Sequence, residues 1–206
     1  DLGIGIGVVD VKVNHIETGD EIARRIEQAE SVLGEGRIQW IHPDCGFWML
    51  KRSVADRKIA ALNRENPAAC RLQQIRGVGH LIASAIVATV GNAALFKNGR
   101  QFAAWLGLTP REYSTGGKPR LGGISKQGDR YLRTLLIHGA RSVLTRAKPL
   151  SRIDPARLSR LQQWGLQLQR RIGHNKAAVA LANKLARICY YIMRDQVPFR
   201  EELIAH

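Results

Sequence analysis

The chain has 206 residues, 45% hydrophobic and 24% charged, with a net charge of +15, a globular composition for one or two domains that excludes a fibre or wholesale disorder. The charge is divided: residues 1–66 hold nine Lys/Arg against eleven Asp/Glu, a net of −2, whereas 67–206 hold twenty-three against six, a net of +17, so a polyanionic partner is expected for the second part alone. Three scattered cysteines, Cys45, Cys70 and Cys189, suit neither a disulfide framework nor a self-contained zinc site, and no apolar run approaches the roughly 20 residues a bilayer requires, so a cytoplasmic protein without membrane association is expected.

Ile4–Val13 is a β-branched, glycine-containing run that reads as a buried strand. Thr18 and Glu21 form a capping box that opens a helix with Ile22, Ala23, Ile26, Ala29, Val32 and Leu33 on its inner face, closed by Gly34 and Gly36. Arg37–His42 is a second strand stopped by Pro43, and Ser53–Asn63 a second amphipathic helix. This β-α-β-α order belongs to an α/β sheet or barrel, yet two strands cannot close a barrel. The runs GVVDVKVNHIET and PDCG, each followed by a helix, resemble the last βα units of cobalamin-independent methionine synthase, a zinc-dependent barrel enzyme. The resemblance implies a TIM-barrel remnant in which Cys45 matches a zinc ligand, the remaining ligands lying upstream in that family. On the residues themselves, Cys45 with His15 or His42 gives two or three donors without metal-ligand spacing, so an idle thiol is expected. Asp10, Asp44 and Asp56 read as surface and cap residues. The opening Asp1, in place of Met, reads as the start of a fragment or processed chain.

Asn66-Pro67 breaks the second helix where the charge changes sign, which sets the expected division at 1–66 and 67–206. Residues 72–91 have the form helix, Gly-Val-Gly, helix; Gly77 and Gly79 permit a tight turn whose amides face outward, as in a helix-hairpin-helix that grips phosphates without reading sequence. No strand precedes the turn and no third glycine follows, so a dinucleotide site is excluded. Gly99–Leu108 reads as a short helix anchored by Phe102, Trp105 and Leu106; Trp105 could stack on a base, but its spacing favours the core.

Residues 110–120 form a donor-rich loop in which Ser114 and Thr115 precede Gly116, Gly117 and Lys118, with Arg120 beyond. Leu121–Leu144 then carries Lys126, Arg130, Arg133 and Arg141 at helical spacing, opposite an apolar side containing Leu132, Leu136 and Val143. His80 and His138 titrate near neutrality and are possible general bases, although lone histidines on mixed helices are more often packed or solvated. After Pro149, basic helical segments continue toward residue 195, with Arg157, Arg160, Arg170 and Arg171 beside Leu158, Leu161, Trp164, Leu166 and Leu168.

Residues 75–146 resemble the C-terminal domain of the DEDD-type insertion-sequence transposases through GVG, F-x-x-G-R-x-F-A-A-W-L-G-L-T-P, S-T-G-G-K and G-I-S-K-x-G-D-x-Y-L-R-x-L-L-I-H-G-A-R, in that order, with a weaker likeness over 175–194. The resemblance implies DNA and a guide (bridge) RNA as partners, homo-oligomers in the full-length family, and a hydroxyl nucleophile that joins covalently to a cleaved strand. Ser114 is the expected nucleophile; Thr115 directly before the glycines is the alternative. In that family a RuvC-like domain binds the divalent metals, so Mg2+ is expected only with such a domain and no cofactor in this chain. Glu112 and Asp129 are the acids near the loop.

The fold class expected is α+β: a β-α-β-α barrel remnant followed by a predominantly helical transposase domain. The function expected is that of a DNA-binding transposase fragment, inactive alone. A non-catalytic nucleic-acid-binding module and a remnant of a zinc-dependent methionine synthase are the alternatives.

Overall fold

A computed structural model describes residues 4–9, 15–34, 38–43, 51–115, 117–118 and 120–201. The positions Asp10, Asp44, Cys45 and Gly116, the PDCG motif and the end of the first apolar run lie outside the described residues. The chain divides into two compact units, 1–70 and 71–206.

In the first unit β1 (Ile4–Val9), α1 (Gly19–Leu33), β2 (Ile38–Pro43) and α2 (Arg52–Arg64) follow one another, and β1 pairs with β2 in parallel. Parallel pairing requires a crossover, and α1 supplies it. The capping box starts α1: the Glu21 amide donates to the Thr18 hydroxyl at 3.3 Å, and the Thr18 amide donates to the Glu21 carboxylate at 2.7 Å. That amide, followed by His15, holds the Glu21 carboxyl down to about 2 from its ordinary 4.5. Gly34, at φ 96°, closes the helix. Ile22 and Ala61 form the buried contact between α1 and α2, with Ile6, Ile16, Ile26 and Leu62 around it. Val32, expected on the inner face of α1, is 82% exposed. Lys58 is fully buried and donates to both carboxylate oxygens of Glu17, at 2.8 and 3.0 Å; pairing both oxygens is what makes two buried charges tolerable.

The second unit is mostly helical. Division between the units falls inside α3 (Pro67–Gln73), which has Pro67 in its first turn and the Asn66 side chain accepting from the Ala69 amide at 3.0 Å. Then come α4 (His80–Val90), α5 (Gly99–Trp105), β3 (Pro110–Glu112), β4 (Leu121–Ile124), α6 (Arg130–Ile153), α7 (Arg160–Ile172) and α8 (His174–Asp195). The core gathers around α8, which packs on α5, α6 and α7. Its buried side is alanine-rich, with Ala177, Ala178, Ala182 and Ala186 beside Leu181, Leu185, Ile188 and Ile192, so neighbouring helices approach closely. Tyr190 is buried and donates its hydroxyl to the Phe96 carbonyl at 2.8 Å, while Phe102 stacks between Tyr190 and Trp105. Among the described residues no helix is long and apolar enough to cross a membrane.

Two local expectations need correction. Lys126 does not lie on the long helix: its φ is 57°, its amide donates to the Gly107 carbonyl, and α6 begins only after Asp129, whose side chain caps the Leu132 amide at 2.8 Å. Helix α6 runs through Pro149 on to Ile153. The carbonyl that Pro149 leaves without its helical donor belongs to Thr145, and both residues are exposed. Residues 110–112 and 121–124, expected as loop and helix start, are the two strands of a hairpin.

Candidate nucleic-acid interface

The hairpin is a two-stranded antiparallel ribbon longer than its named strands. From its base outward, the Lys126 amide donates to Gly107, the Ser125 amide to Thr109 and the Tyr113 amide to Arg120. Thr115 bridges Lys118 at the tip, where Gly117 has φ 76°. The base is held by two glycines that admit no side chain: a Cβ on Gly107 would overlap the Gln127 backbone, and one on Gly128 would overlap the Trp105 carbonyl. Beyond the base the ribbon is solvated, with Arg111, Glu112, Tyr113, Ser114, Thr115, Lys118 and Arg120 all exposed.

Ser114 and Thr115 therefore stand together at the solvent end of the ribbon, with Lys118 and Arg120 on the returning strand. The Ser114 Oγ accepts a hydrogen bond from the Arg120 amide at 3.1 Å, which fixes the oxygen and leaves its proton free to be donated. Of the two nearby acids, Glu112 is exposed on β3, and the Asp129 carboxylate is engaged in capping α6. Among the described residues no group of three or more His, Cys, Asp or Glu could hold a metal ion. His15 lies 3.1 Å from the Glu21 carboxylate, and Asp56 lies 3.9 Å from Arg52.

Helix α6 supplies the larger cationic surface. Arg130, Arg141, Lys148 and Arg152 are all exposed and follow at intervals of eleven, seven and four residues, about three, two and one helical turns. They form one stripe along the helix, with Thr134 and Thr145 between them. Lys148 and Arg152 were not anticipated, because the charge spacing was read only over Leu121–Leu144. Arg133 departs from the stripe. Its side chain is buried, and Nη1 donates to the carbonyls of Leu106, Gln127 and Asp129 at 2.9, 3.2 and 3.4 Å, so this guanidinium ties the base of the ribbon to the first turn of α6. His138 is exposed on α6, and His80 is the first residue of α4.

The Gly-Val-Gly turn has two different glycines. Gly77, at φ 93°, lies against α6: a Cβ there would come within 2.6 Å of Val143 Cγ2 and 3.0 Å of the Gly139 carbonyl, and a Cβ on Gly139 would overlap the Gly77 carbonyl oxygen. Gly79 is exposed, with open space where a Cβ would be, and precedes the first turn of α4. Within the turn, the Val78 amide is bonded to the Ile75 carbonyl at 2.9 Å. On α7 and just before it, Arg157, Arg160, Arg170 and Arg171 are exposed, Arg160 lying 4.0 Å from Glu201.

Residues 69–153 match the model of the transposase IS116/IS110/IS902 family, and residues 1–69 match that of the cobalamin-independent synthase catalytic domain. A Pseudomonas aeruginosa protein described as a family 20 transposase is 46% identical over 145 residues, 70% of this chain and 41% of that protein. The transposase for insertion sequence element IS1111A of Coxiella burnetii is 41% identical over 145 residues, 70% of this chain and 38% of its own length. A methionine synthase of Saccharolobus islandicus is 36% identical over 62 residues, 30% of this chain and 18% of that enzyme. The chain thus spans about four-tenths of the transposases it matches, and the segments that match the two unlike families meet at residue 69.

Proposed function

We propose, from the premise that residues 69–153 are a domain of the IS116/IS110/IS902 transposase family, that this chain is a DNA-binding transposase fragment fused behind a methionine-synthase-like segment. The observation that carries the reading is a coincidence of place: the segment similar to transposases is also the one that displays the cationic stripe of α6 and the exposed ribbon. A stripe of guanidinium and ammonium groups contacts the phosphate backbone irrespective of base sequence. A two-stranded ribbon has the dimensions to enter a major groove. Lys118 and Arg120 beside the hydroxyls would then place charge next to a phosphodiester.

Ser114 is the nucleophile of this reading, with Thr115 the alternative. The oxygen attacks phosphorus, a new P–O bond forms to the side chain, and the P–O bond to one deoxyribose oxygen breaks, that oxygen taking up a proton. A hydroxyl needs activation and the developing phosphoryl charge needs cations; the second requirement is met by Lys118 and Arg120, and the first by no carboxylate set among the described residues. The 206-residue chain on its own therefore binds DNA without cleaving it, and catalysis belongs to an assembly that adds a metal-binding domain, with a guide RNA and further copies of the transposase as its partners. The Gly-Val-Gly turn between α3 and α4 is a helix-hairpin-helix in this reading, with Gly79 on the phosphate side. The parallel β1–α1–β2 unit is a TIM-barrel remnant whose Cys45 no longer serves zinc.

The test is anisotropy titration of a labelled DNA duplex with the full chain at low salt, followed by incubation with duplex, RNA and Mg2+ and a denaturing gel. Saturable binding without a protein–DNA adduct is expected. Absence of binding would end the DNA reading, and an adduct abolished by Ser114→Ala or Thr115→Ala would show that the chain is catalytically complete.

A further inference from the structure

Where the Gly-Val-Gly turn docks on α6 it forms a small cleft, lined by Arg76, Gly77, Ser142, Val143, Arg146 and Gln162, of about 90 Å³. A single water needs about 10–15 Å³ of such volume, so the cleft has room for an anion the size of a phosphate group. The cleft is built by backbone contact: Gly77 and Gly139 admit no Cβ between the turn and α6, and this close approach is what brings Arg76, from the turn, to the cleft that Arg146 lines from the helix.

Apart from the Ser142 hydroxyl, the polar groups that line it are donors. Arg76 and Arg146 are exposed, and among the described residues neither guanidinium has a hydrogen-bond or ion-pair partner. Gln162 is 4% exposed, and its amide oxygen accepts from both the amide and the hydroxyl of Ser159, at 3.1 and 3.2 Å, in the capping box of α7. That bonding fixes the orientation of the side chain and leaves its NH2 as the group available to the cleft. Ser142 Oγ donates to the Gly139 carbonyl at 3.0 Å. No carboxylate lines the cleft; elsewhere in this unit Asp129 caps α6, Asp195 pairs with Arg194, and Glu201 faces Arg160.

Two guanidiniums from separate elements, with an amide NH2 and no acid, form a site for an anion that offers several acceptor oxygens. We infer that the cleft between the Gly-Val-Gly turn, α6 and α7 is a phosphate-binding subsite, occupied by a backbone phosphate of the nucleic acid. The assignment of that source rests on the DNA reading above; the donor chemistry does not. Arg146 lies five residues from Arg141, well over a quarter-turn around α6 from the stripe, so the subsite lies on another flank of the helix from Arg130, Arg141, Lys148 and Arg152. A bound strand that reaches both must wrap around α6, or two strands occupy the two flanks.

The test uses the full chain, 15N-labelled, with Arg76→Gln, Arg146→Gln and the double variant, whose changed residues are exposed. Inorganic phosphate should shift the Gln162 side-chain amide resonance, and the shift should vanish in the double variant. With a labelled duplex, the double variant should bind about tenfold or more weakly at moderate salt, and the slope of log affinity against log salt should fall by about 1.8, two phosphate contacts at about 0.9 each. A phosphate-induced shift with unaltered duplex binding in the double variant would overturn the nucleic-acid source and leave a free-phosphate site. If wild type binds no duplex, the phosphate shift still upholds the cleft while the DNA reading fails. A resonance unmoved by phosphate, with duplex affinity and slope unchanged in the double variant, would overturn the subsite.

Discussion

Two helical glycines allow the packing account to be tested by a matched pair of substitutions, Gly139→Ala and Gly165→Ala. Replacing an interior helical glycine by alanine raises helix propensity by about 1 kcal/mol, so both should stabilise if nothing else mattered. At Gly165 the new methyl meets Leu144 Cδ2 at 2.9 Å and Leu181 Cδ2 at 3.5 Å, the ends of side chains that can turn aside. At Gly139 it overlaps the carbonyl oxygen of Gly77 and comes within 2.9 Å of Ile82 Cδ1. That carbonyl belongs to a turn held by the Val78-to-Ile75 hydrogen bond, so relief requires moving the turn off α6. Overpacking of this kind costs about 1–3 kcal/mol, and a displaced backbone puts it at the upper end; set against about 1 kcal/mol of propensity, Gly139→Ala should lose about 1–2 kcal/mol net. Gly165→Ala should fall within about 0.5 kcal/mol of wild type. Urea unfolding of the full chain followed by circular dichroism measures both. A Gly139→Ala protein as stable as wild type would refute the close docking of the turn, and with it the cleft that depends on it.

Arg133→Ala should destabilise by about 2–4 kcal/mol, because the guanidinium is buried and the buried Leu106 carbonyl and the partly buried Gln127 carbonyl lose their donor, whereas Arg130→Ala, on the exposed stripe, should change unfolding free energy by less than about 0.5 kcal/mol; equal effects would contradict the assignment of Arg133 to the ribbon base. Burial pushes the Cys189 thiol up to about 12, while Cys70 is exposed, so alkylation of the native chain near pH 8, read by peptide mass spectrometry, should mark Cys70 and reach Cys189 only after unfolding. The Glu21 carboxyl, held down to about 2, stabilises the start of α1 fully above its unfolded value near 4.5 and loses that contribution as pH falls from there to about 2; an NMR titration of its carboxyl carbon with a midpoint near 4.5 would show that the capping box does not form.

Local chemistry was legible where one residue type has one structural use. Thr18 with Glu21, Gly34 and the Asn66-Pro67 break mark helix ends by their own hydrogen-bonding capacity, and all three stand at such ends. The ribbon was not legible: its strands have three and four residues, its glycines interrupt any alternation, and its register comes from Gly107 and Gly128 pressing on distant backbone. Charge spacing alone placed Arg133 with Arg130 and Arg141, since a sequence cannot show that a guanidinium has backbone carbonyls to satisfy. Half of the stripe was missed because Lys148 and Arg152 lie beyond Leu144, where the charge spacing was read, on a helix that continues through Pro149 to Ile153. Arg76, Arg146 and Gln162 gave no signal, being brought together by the contact of Gly77 with Gly139 across the fold.

The central claim, that an exposed stripe on α6 holds nucleic acid through its phosphates, is tested most directly by the salt dependence of duplex affinity for the wild-type chain and for the fourfold variant Arg130→Gln, Arg141→Gln, Lys148→Gln, Arg152→Gln. Each phosphate contact contributes about 0.9 to the slope of log affinity against log salt concentration, so the variant should bind more weakly with a slope smaller by up to about 3.6. A wild-type affinity indifferent to salt, or a variant with the wild-type slope, would contradict it.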